Sequence, residues 1–134
     1  MMDPISDMLI RIKNAARAKL KSVVLPHSEL KYRIAGTLMK EGFLDDAQRK
    51  TKKVGKRSLK NLELTLAYAN GEPKVHDLKR VSKLSQRVYM KKGDLHPVRK
   101  SASGIAVIST SKGVMTTMDA KKAGIGGEVI FEVW

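Results

Sequence analysis

Three hydroxyl groups, one ammonium group and a glycine occupy five consecutive positions, which are Ser109, Thr110, Ser111, Lys112 and Gly113. We call this segment the hydroxyl turn. Short hydroxyl side chains donate and accept hydrogen bonds at close range, and glycine lets another backbone approach without an intervening side chain. Gly124, Gly126 and Gly127 repeat the second property downstream. These residue types suit contact with sugar and base edges of a nucleic acid and are equally typical of ordinary β-turns, so local chemistry leaves both interpretations open.

Patterns for catalysis, metal binding and nucleotide binding are absent from the sequence. The chain has no cysteine, which excludes a disulfide framework, a thiolate zinc site and a cysteine nucleophile. Its three histidines are scattered and have no second ligand at a metal-like spacing. Lys112-Gly113 lacks the glycine spacing of a Walker motif, and the downstream glycines precede a predicted strand, not the helix of a dinucleotide fingerprint. We expect no cofactor or metal; an enzyme with Ser109 or Ser111 as nucleophile is the remaining catalytic alternative.

The strong positive charge narrows the class of partner. Lys and Arg number 27 against 13 Asp and Glu, giving a formal net charge of +14, while hydrophobic residues make up 42% of the chain. That apolar share supports a folded core, so the charge belongs to a globular protein and favours a polyanionic partner. The sequence therefore predicts a nucleic-acid-binding protein without catalytic activity. On charge alone, a general DNA-binding or chromosome-compacting protein is the alternative.

The N-terminus and the hydropathy pattern argue against export and membrane insertion. Asp3 and Asp7 lie where a signal peptide has its basic start and its apolar core. No uncharged apolar run approaches the roughly 20 residues that cross a bilayer. We therefore expect a cytoplasmic protein with no membrane partner.

Two basic stretches offer further candidate contacts. Residues 49–60 form a predicted loop with Gly55 at the bend of a long hairpin. Its cations are Arg49, Lys50, Lys52, Lys53, Lys56, Arg57 and Lys60. Charge of this kind often only solvates a hairpin, so solvation and phosphate contact are both open. The second stretch surrounds Tyr89, whose ring could stack on a base or pack against the protein.

Helical periodicity in the first forty residues predicts two helices joined by a strand. Apolar residues recur at helical spacing over residues 5–20, with Asp3 as the N-cap. A short strand follows over residues 21–25. Ser28 is expected to cap the second helix, and Gly42 to close it in the left-handed conformation. The apolar face of this helix is predicted to contain Leu30, Ile34 and Leu38.

Alternating polarity predicts a mainly β remainder. The predicted strands are residues 61–68, 74–78, 86–90, 104–109, 114–116 and 127–134. Thr117 is expected to cap one short helix over residues 118–123, which ends at Gly124. Asn70-Gly71 is a strong turn signal. We therefore predict an α+β fold of two small packed modules, an N-terminal α/β module over residues 1–70 and a C-terminal, mainly-β module over residues 71–134.

Motifs at both ends of the chain resemble one known family. The first is DPISDMLIRIKN at residues 3–14, and the second is ISTSKGVMT at residues 108–116, followed by GGEV at residues 126–129. With RVY at residues 87–89 and the final Trp134, they are similar to bacterial-type small-subunit ribosomal protein S8. The resemblance runs essentially end to end. Its motifs are specific in combination, although no single one would suffice.

The resemblance implies an α/β module packed on a mainly-β, RNA-binding module over residues 71–134, with no catalysis. It implies that the chain is a primary binder of the central domain of small-subunit ribosomal RNA and helps the particle to assemble in the cytoplasm. The implied protein partners are neighbouring small-subunit ribosomal proteins. In some bacteria such proteins also repress their own operon through messenger RNA that mimics the ribosomal site. Outside the ribosome we expect a monomer.

The resemblance also implies which residues meet RNA. They are the hydroxyl turn, Tyr89, and the glycine stretch of Gly124, Gly126 and Gly127 with Glu128. Near the N-terminus, further contacts are implied at Asp3, Pro4, Arg11, Lys13 and Asn14. The chain departs from the family pattern over residues 99–104, where Ser103 stands at a position commonly held by glycine. The departure affects the approach to the hydroxyl turn and leaves the turn intact.

Overall fold

A computed structural model describes residues 3–95 and 104–134, which form three α-helices and three antiparallel sheets. The predicted α+β class is confirmed. The helices are α1 (Pro4–Arg17), α2 (Glu29–Lys40) and α3 (Thr117–Ala123), with a 3-10 turn at Lys92–Asp94. The strands are β1 (Ser22–Pro26), β2 (Leu44–Val54), β3 (Arg57–Leu66), β4 (Tyr68–Ala69), β5 (Glu72–Pro73), β6 (Leu78–Arg80), β7 (Tyr89–Met90), β8 (Ile105–Thr110), β9 (Gly113–Thr116) and β10 (Gly127–Val133). Residues 99–103, where the sequence departs from the family pattern, lie outside the described residues.

Side-chain caps determine where α1 and α2 begin. The Oδ1 atom of Asp3 accepts the backbone N–H of Ile5 at 3.1 Å, and Pro4 occupies the first turn. The Oγ atom of Ser28 accepts the N–H of Lys31, also at 3.1 Å. Each cap satisfies an N–H group that the helix itself leaves unpaired. Gly42 follows α2 with a φ of 85°. Both predicted caps and the left-handed glycine are confirmed.

The predicted end of the first helix is wrong, because α1 stops at Arg17. Lys19 adopts a left-handed φ of 54°, and the N–H of Leu20 bonds to the carbonyl of Ala15 at 2.9 Å. This pairing is that of a Schellman motif, which ends a helix. Leu20 is consequently 51% exposed rather than part of the apolar face. Leu30 is also exposed, since it lies in the first turn of α2, while the other two predicted apolar positions of α2 are buried.

The first sheet has the strand order β1-β3-β2, and its long hairpin contains the basic residues 49–60. β2 pairs with β3 out to Val54 opposite Arg57, and Gly55 makes the bend with a φ of 61°. The predicted hairpin is confirmed. The predicted loop is wrong, because the ladder of backbone hydrogen bonds continues through the charged residues. All side chains of residues 49–60 are exposed, so this basic hairpin extends past the core.

The second sheet has the order β6-β10-β8-β9, with β7 also paired to β10. β8, β9 and β10 agree with the predicted strands to within one residue. The predicted strands 74–78 and 86–90 are wrong in extent, since only β6 and β7 form there. The N–H groups of His76 and Asp77 both bond to the carbonyl of Trp134. The chain therefore meets the end of β10 first, and only then does β6 pair with β10. Thr116, one residue before the predicted cap, caps α3, and Gly124 closes it with a φ of 70°.

One hydrophobic cluster receives side chains from both halves of the sequence. It contains Ile12 and Leu38 from the helices, Leu64 from the first sheet, and Val107 and Phe131 from the second sheet, all fully buried. The predicted Asn70-Gly71 turn between the halves is confirmed, since both residues have the positive φ angles of a type I′ turn. The division into modules at residue 70 stays a prediction.

Two ion pairs connect α1 to the second half of the chain. The Nε atom of Arg80 lies 3.1 Å from Oδ2 of Asp3, and these side chains are only 10% and 17% exposed. Lys13 pairs with Asp77 at 2.8 Å, and its hydrogen bond lowers the pKa of that carboxyl. Burial raises the pKa of Asp3, but hydrogen bonds from Ser6 and Arg80, together with the charge of Arg80, outweigh burial and leave that pKa below 3.8. Both carboxylates are therefore held in their charged forms.

Replacing Asp3 by Asn is expected to lower the free energy of unfolding by about 1–2 kcal/mol near pH 7, because Asn keeps the cap and loses the charge-assisted bond to Arg80. The folded-state pKa of Asp3 lies below its ordinary value of 3.8. Its contribution is therefore complete above that pH and is lost as pH falls through the folded-state value. Urea unfolding of both proteins between pH 7 and pH 3 should show a difference that shrinks with acidity. A constant difference would contradict the ion-pair explanation.

Candidate nucleic-acid interface

Three predicted site residues from distant parts of the chain come together in the second sheet. In the register of β10, Glu128 lies opposite Ser109 of β8 on one side and opposite Tyr89 of β7 on the other. Ser109 in turn lies opposite Val114 of β9. Residues opposite one another in antiparallel strands share a face, with Cβ atoms about 4.5–5.5 Å apart. These four residues therefore form a row across four strands, which we call the cross-strand row.

The cross-strand row lies on the same face of the second sheet as the main hydrophobic cluster, but beyond the edge of that cluster. Val107, two residues before Ser109, is fully buried in the main cluster, and side chains two positions apart on a strand share a face. At the row itself, Ser109 is half-buried and Tyr89 is 70% exposed. A ligand can therefore contact the phenol ring and the serine hydroxyl without disturbing the packed interior.

Glu128, at the centre of the row, has its charge compensated within the protein. Nη1 of Arg87 lies 3.1 Å from Oε2 of Glu128. The arginine removes much of the repulsion that a lone carboxylate would exert on phosphate. A carboxylate oxygen can still accept a hydrogen bond from a ribose hydroxyl or a base amino group.

The hydroxyl turn joins β8 to β9, and its three hydroxyl groups have different roles. Oγ1 of Thr110 accepts the N–H of Lys112 at 3.1 Å and donates to the carbonyl of Gly113 at 2.8 Å, so this hydroxyl shapes the turn. Within residues 3–95 and 104–134, the hydroxyl groups of Ser109 and Ser111 have no hydrogen-bond partner. These two groups are therefore the ones that the turn offers to a ligand.

The glycines near the start of β10 are required by neighbouring strands. A Cβ atom on Gly127 would lie 2.2 Å from the carbonyl oxygen of Ser109, and one on Gly126 would lie 2.2 Å from that of Met90. Gly124 is the left-handed residue that closes α3. Close packing thus explains glycine at positions 126 and 127, and the left-handed backbone explains it at position 124. Contact of the three glycines with RNA stays a prediction.

The predicted N-terminal site residues lie at the start of α1 and along it, and none of them belongs to the cross-strand row. Asp3 and Lys13 are held in the ion pairs to Arg80 and Asp77. Arg11 bonds to a carboxylate on its own helix and to a backbone carbonyl of β1. Two others, Pro4 and Asn14, are exposed. Three of these five side chains therefore have an internal partner, and RNA contact at all five stays a prediction.

A cleft beside the hydroxyl turn was missed by the sequence analysis. It has a volume of about 380 Å³. Its lining residues are Arg33, Gly36, Thr37 and Lys40 of α2, with Lys112, Gly113 and Val114 at the turn. We call it the α2 cleft. The only signal in the sequence is the spacing of Arg33, Gly36 and Lys40 along one side of a helix. That side meets β9 through a contact 77 residues apart, which local patterns do not reveal.

Membrane-spanning helices and metal-binding clusters are both absent from the part of the chain that the structure describes. None of its helices is long and apolar enough to cross a membrane. Among the same residues, no group of three or more His, Asp or Glu side chains is arranged to hold a metal ion.

The chain is similar to known proteins over nearly its whole length. The sequence model of the family described as "Ribosomal protein S8" matches residues 3–134. The chain is also 48% identical over 130 residues to a protein of Tolumonas auensis described as "Small ribosomal subunit protein uS8". That match covers 97% of this chain and 95% of the relative. The matched span contains the hydroxyl turn and every residue of the cross-strand row.

Proposed function

Since the chain belongs to the ribosomal protein S8 family and is therefore a structural protein of the small ribosomal subunit, we propose that it binds the central domain of small-subunit ribosomal RNA. The observation that carries the proposal is the cross-strand row. Three residues implied to meet RNA, which are about 20 or more positions apart in the sequence, are adjacent on one sheet face. The hydroxyl turn begins at one of them, Ser109.

The row has the chemistry that RNA recognition requires. Sequence-specific RNA binding relies on aromatic stacking of unpaired bases and on short-range hydrogen bonds to base edges and 2′-hydroxyl groups. Tyr89 provides an exposed ring. Ser109 and Ser111 provide hydroxyl groups, and the paired carboxylate of Glu128 provides an acceptor. This small surface suits an irregular internal loop of an RNA helix, where bases are accessible.

Affinity and selectivity come from different parts of the molecule in this proposal. The basic hairpin carries seven cations over residues 49–60, all exposed. Exposed cations attract phosphate through counterion release, which does not depend on sequence. The cross-strand row and hydroxyl turn contain few free charges and contribute hydrogen bonds that depend on the shape of the RNA. The basic surface therefore promotes association, while the row selects the site.

Replacing Lys52 and Lys53 together by Ala is expected to lower the slope of log affinity against log salt by about 0.7–0.9 for each phosphate that the hairpin no longer neutralises. Their positions in β2, opposite Leu59 and Ser58, place the two ammonium groups on opposite faces of the hairpin. At least one should meet phosphate, whichever face the RNA approaches. The preference for ribosomal RNA over other RNA should stay the same. An unchanged slope would show that the hairpin is only solvated.

Comparing the affinity of the protein for RNA with its affinity for DNA tests the proposed function. The full chain is titrated, by gel shift at moderate salt, with a central-domain RNA fragment and with duplex DNA of equal length. Specific complexes are typically about 10³-fold or more tighter than non-specific ones, so the RNA should bind far more tightly. Equal affinity for the two would defeat the proposal and favour a general DNA-binding protein.

Further partners follow from the same surface. A messenger RNA that folds into the same loop shape would present the same groups to the row, so repression of the chain's own operon is part of the proposal. Such a transcript should compete with ribosomal RNA for the cross-strand row, so adding it should displace the ribosomal RNA fragment from the protein. We also propose neighbouring small-subunit proteins as partners, a monomer outside the particle, and a cytoplasmic location within the ribosome.

A further inference from the structure

One wall of the α2 cleft is formed by the hydroxyl turn, and the space above its floor is open. Oγ1 of Thr37 approaches the carbonyl of Val114 at 3.5 Å, which brings α2 against β9. Gly36 forms the floor, and a Cβ atom built there would find no heavy atom within 4 Å. On the opposite wall, a Cβ on Gly113 would lie 4.0 Å from Nη1 of Arg33. The guanidinium therefore reaches across to the turn and leaves space above Gly36.

The cleft carries positive charge that the protein neutralises only in part. Arg33, Lys40 and Lys112 line it, and no Asp or Glu is among its described lining residues. Asp119 lies at the rim, where it pairs with Nζ of Lys40 at 3.2 Å. Two cations are therefore left to face the space. A volume of about 380 Å³ equals roughly thirteen water molecules at about 30 Å³ each, which is ample for a phosphodiester group.

We propose that the α2 cleft binds a backbone phosphate of the RNA strand that contacts the hydroxyl turn. This inference rests on the proposed function and adds α2 to the binding surface. The planar guanidinium of Arg33 matches two phosphate oxygens, while Lys40 and Lys112 act as point charges. Lys112 directly follows Ser111, so one strand can place a sugar at the serine and its phosphate in the cleft. The cleft thus fixes the register of the strand that the row reads.

The floor of the cleft allows a test with a matched pair of variants. Gly36→Glu and Gly36→Gln place side chains of nearly equal size in the same open space, and both residues favour helix over glycine. They differ in charge alone. Gly36→Glu should weaken binding of the central-domain RNA fragment about five- to eightfold relative to Gly36→Gln near 0.1 M salt, and should lower the salt slope by about 0.7–0.9.

Arg33→Gln provides the second measurement, and Arg17→Gln provides its control. Arg17 is an exposed arginine in the last turn of α1 and belongs neither to the lining of the α2 cleft nor to the cross-strand row. Arg33→Gln should lower the affinity and the slope as Gly36→Glu does, while Arg17→Gln should leave both at the wild-type values. Urea unfolding of each variant confirms that the fold is intact.

The results separate this proposal from the function on which it depends. If Gly36→Glu and Gly36→Gln bind the RNA equally and Arg33→Gln keeps the wild-type slope, the cleft holds no phosphate, although a wild-type preference for RNA would still support the function. If the wild type fails to prefer RNA over duplex DNA, the function fails first. A loss for Arg17→Gln equal to that for Arg33→Gln would also overturn the proposal, because the effect would then reflect net charge alone.

Discussion

Gly127→Ala is expected to lower the free energy of unfolding by about 3 kcal/mol or more, the largest effect on stability that we predict. A Cβ atom at this position would lie 2.2 Å from the carbonyl oxygen and 3.0 Å from the carbonyl carbon of Ser109. Both are backbone atoms, so relief requires β10 to separate from β8. Overpacking against rigid neighbours costs about 1–3 kcal/mol, and a clash with backbone lies at or beyond the upper end.

Urea unfolding measures this effect, and Gly36→Ala is the matched control. Gly36 has open space around its Cα atom and lies inside a helix, where alanine is favoured over glycine by about 1 kcal/mol. The same chemical change should therefore shift the unfolding midpoint downwards at position 127 and slightly upwards at position 36. If Gly127→Ala is as stable as the wild type, the two strands do not approach as closely as described.

Gly127→Ala should also change RNA binding, since it separates Ser109 from Glu128 within the cross-strand row. At a temperature where the variant is still folded, its affinity for the central-domain fragment should fall while its binding to duplex DNA stays near the wild-type level. The basic hairpin belongs to the other sheet, so we expect the substitution to leave its phosphate contacts unchanged.

The double substitution of Ser109 and Ser111 by Ala is expected to weaken specific binding more than any other change proposed for the RNA surface. Within the described residues neither hydroxyl bonds to the protein, so we expect the fold to stay intact when they are removed. A hydrogen bond contributes about 0.5–1.5 kcal/mol, so removing two bonds should cost about 1–3 kcal/mol, or roughly five- to 150-fold in Kd. The salt slope should stay constant, because every phosphate interaction remains in place.

Two controls distinguish this role from a general effect of removing hydroxyl groups. Ser58→Ala removes an exposed serine hydroxyl from the basic hairpin, whose contacts do not depend on sequence in this proposal, and should leave the preference for the RNA fragment over duplex DNA unchanged. Thr110→Val removes the hydroxyl that shapes the turn, and should lower both stability and RNA affinity. If the double variant changes the salt slope and keeps the preference for RNA, the role proposed for Ser109 and Ser111 is wrong.

Features governed by neighbouring residues were predictable from the sequence. The caps at Asp3 and Ser28, the left-handed residue at Gly42 and the end of α3 at Gly124 depend on interactions within one turn of chain, and all were predicted. The Asn70-Gly71 turn belongs to the same class. The end of α1 was predicted wrongly from its apolar period, because a different local interaction ends the helix. Lys19 closes α1 in a conformation usually left to glycine, which the apolar period through Leu20 did not reveal.

Features set by strand register were not predictable. Alternation identified β8 and β10, but it could not show that Ser109, Glu128 and Tyr89 lie side by side, because register depends on pairing between distant segments. The resemblance to a family supplied these residues as a set, and the sheet shows what joins them. The α2 cleft had no such guide, since Arg33 and Lys112 meet only after α2 packs against β9. Charge patterns pointed instead to the basic hairpin.

The most direct test of the account is to map the RNA contact on the intact chain by NMR. Backbone amide shifts are followed while the central-domain RNA fragment is added at raised salt, which weakens the phosphate contacts of the basic hairpin more than the hydrogen bonds of the row. We expect the largest shifts at residues 109–113, at Gly127 and Glu128, and at Tyr89. Large shifts confined to residues 49–60, with the cross-strand row unchanged, would contradict the account.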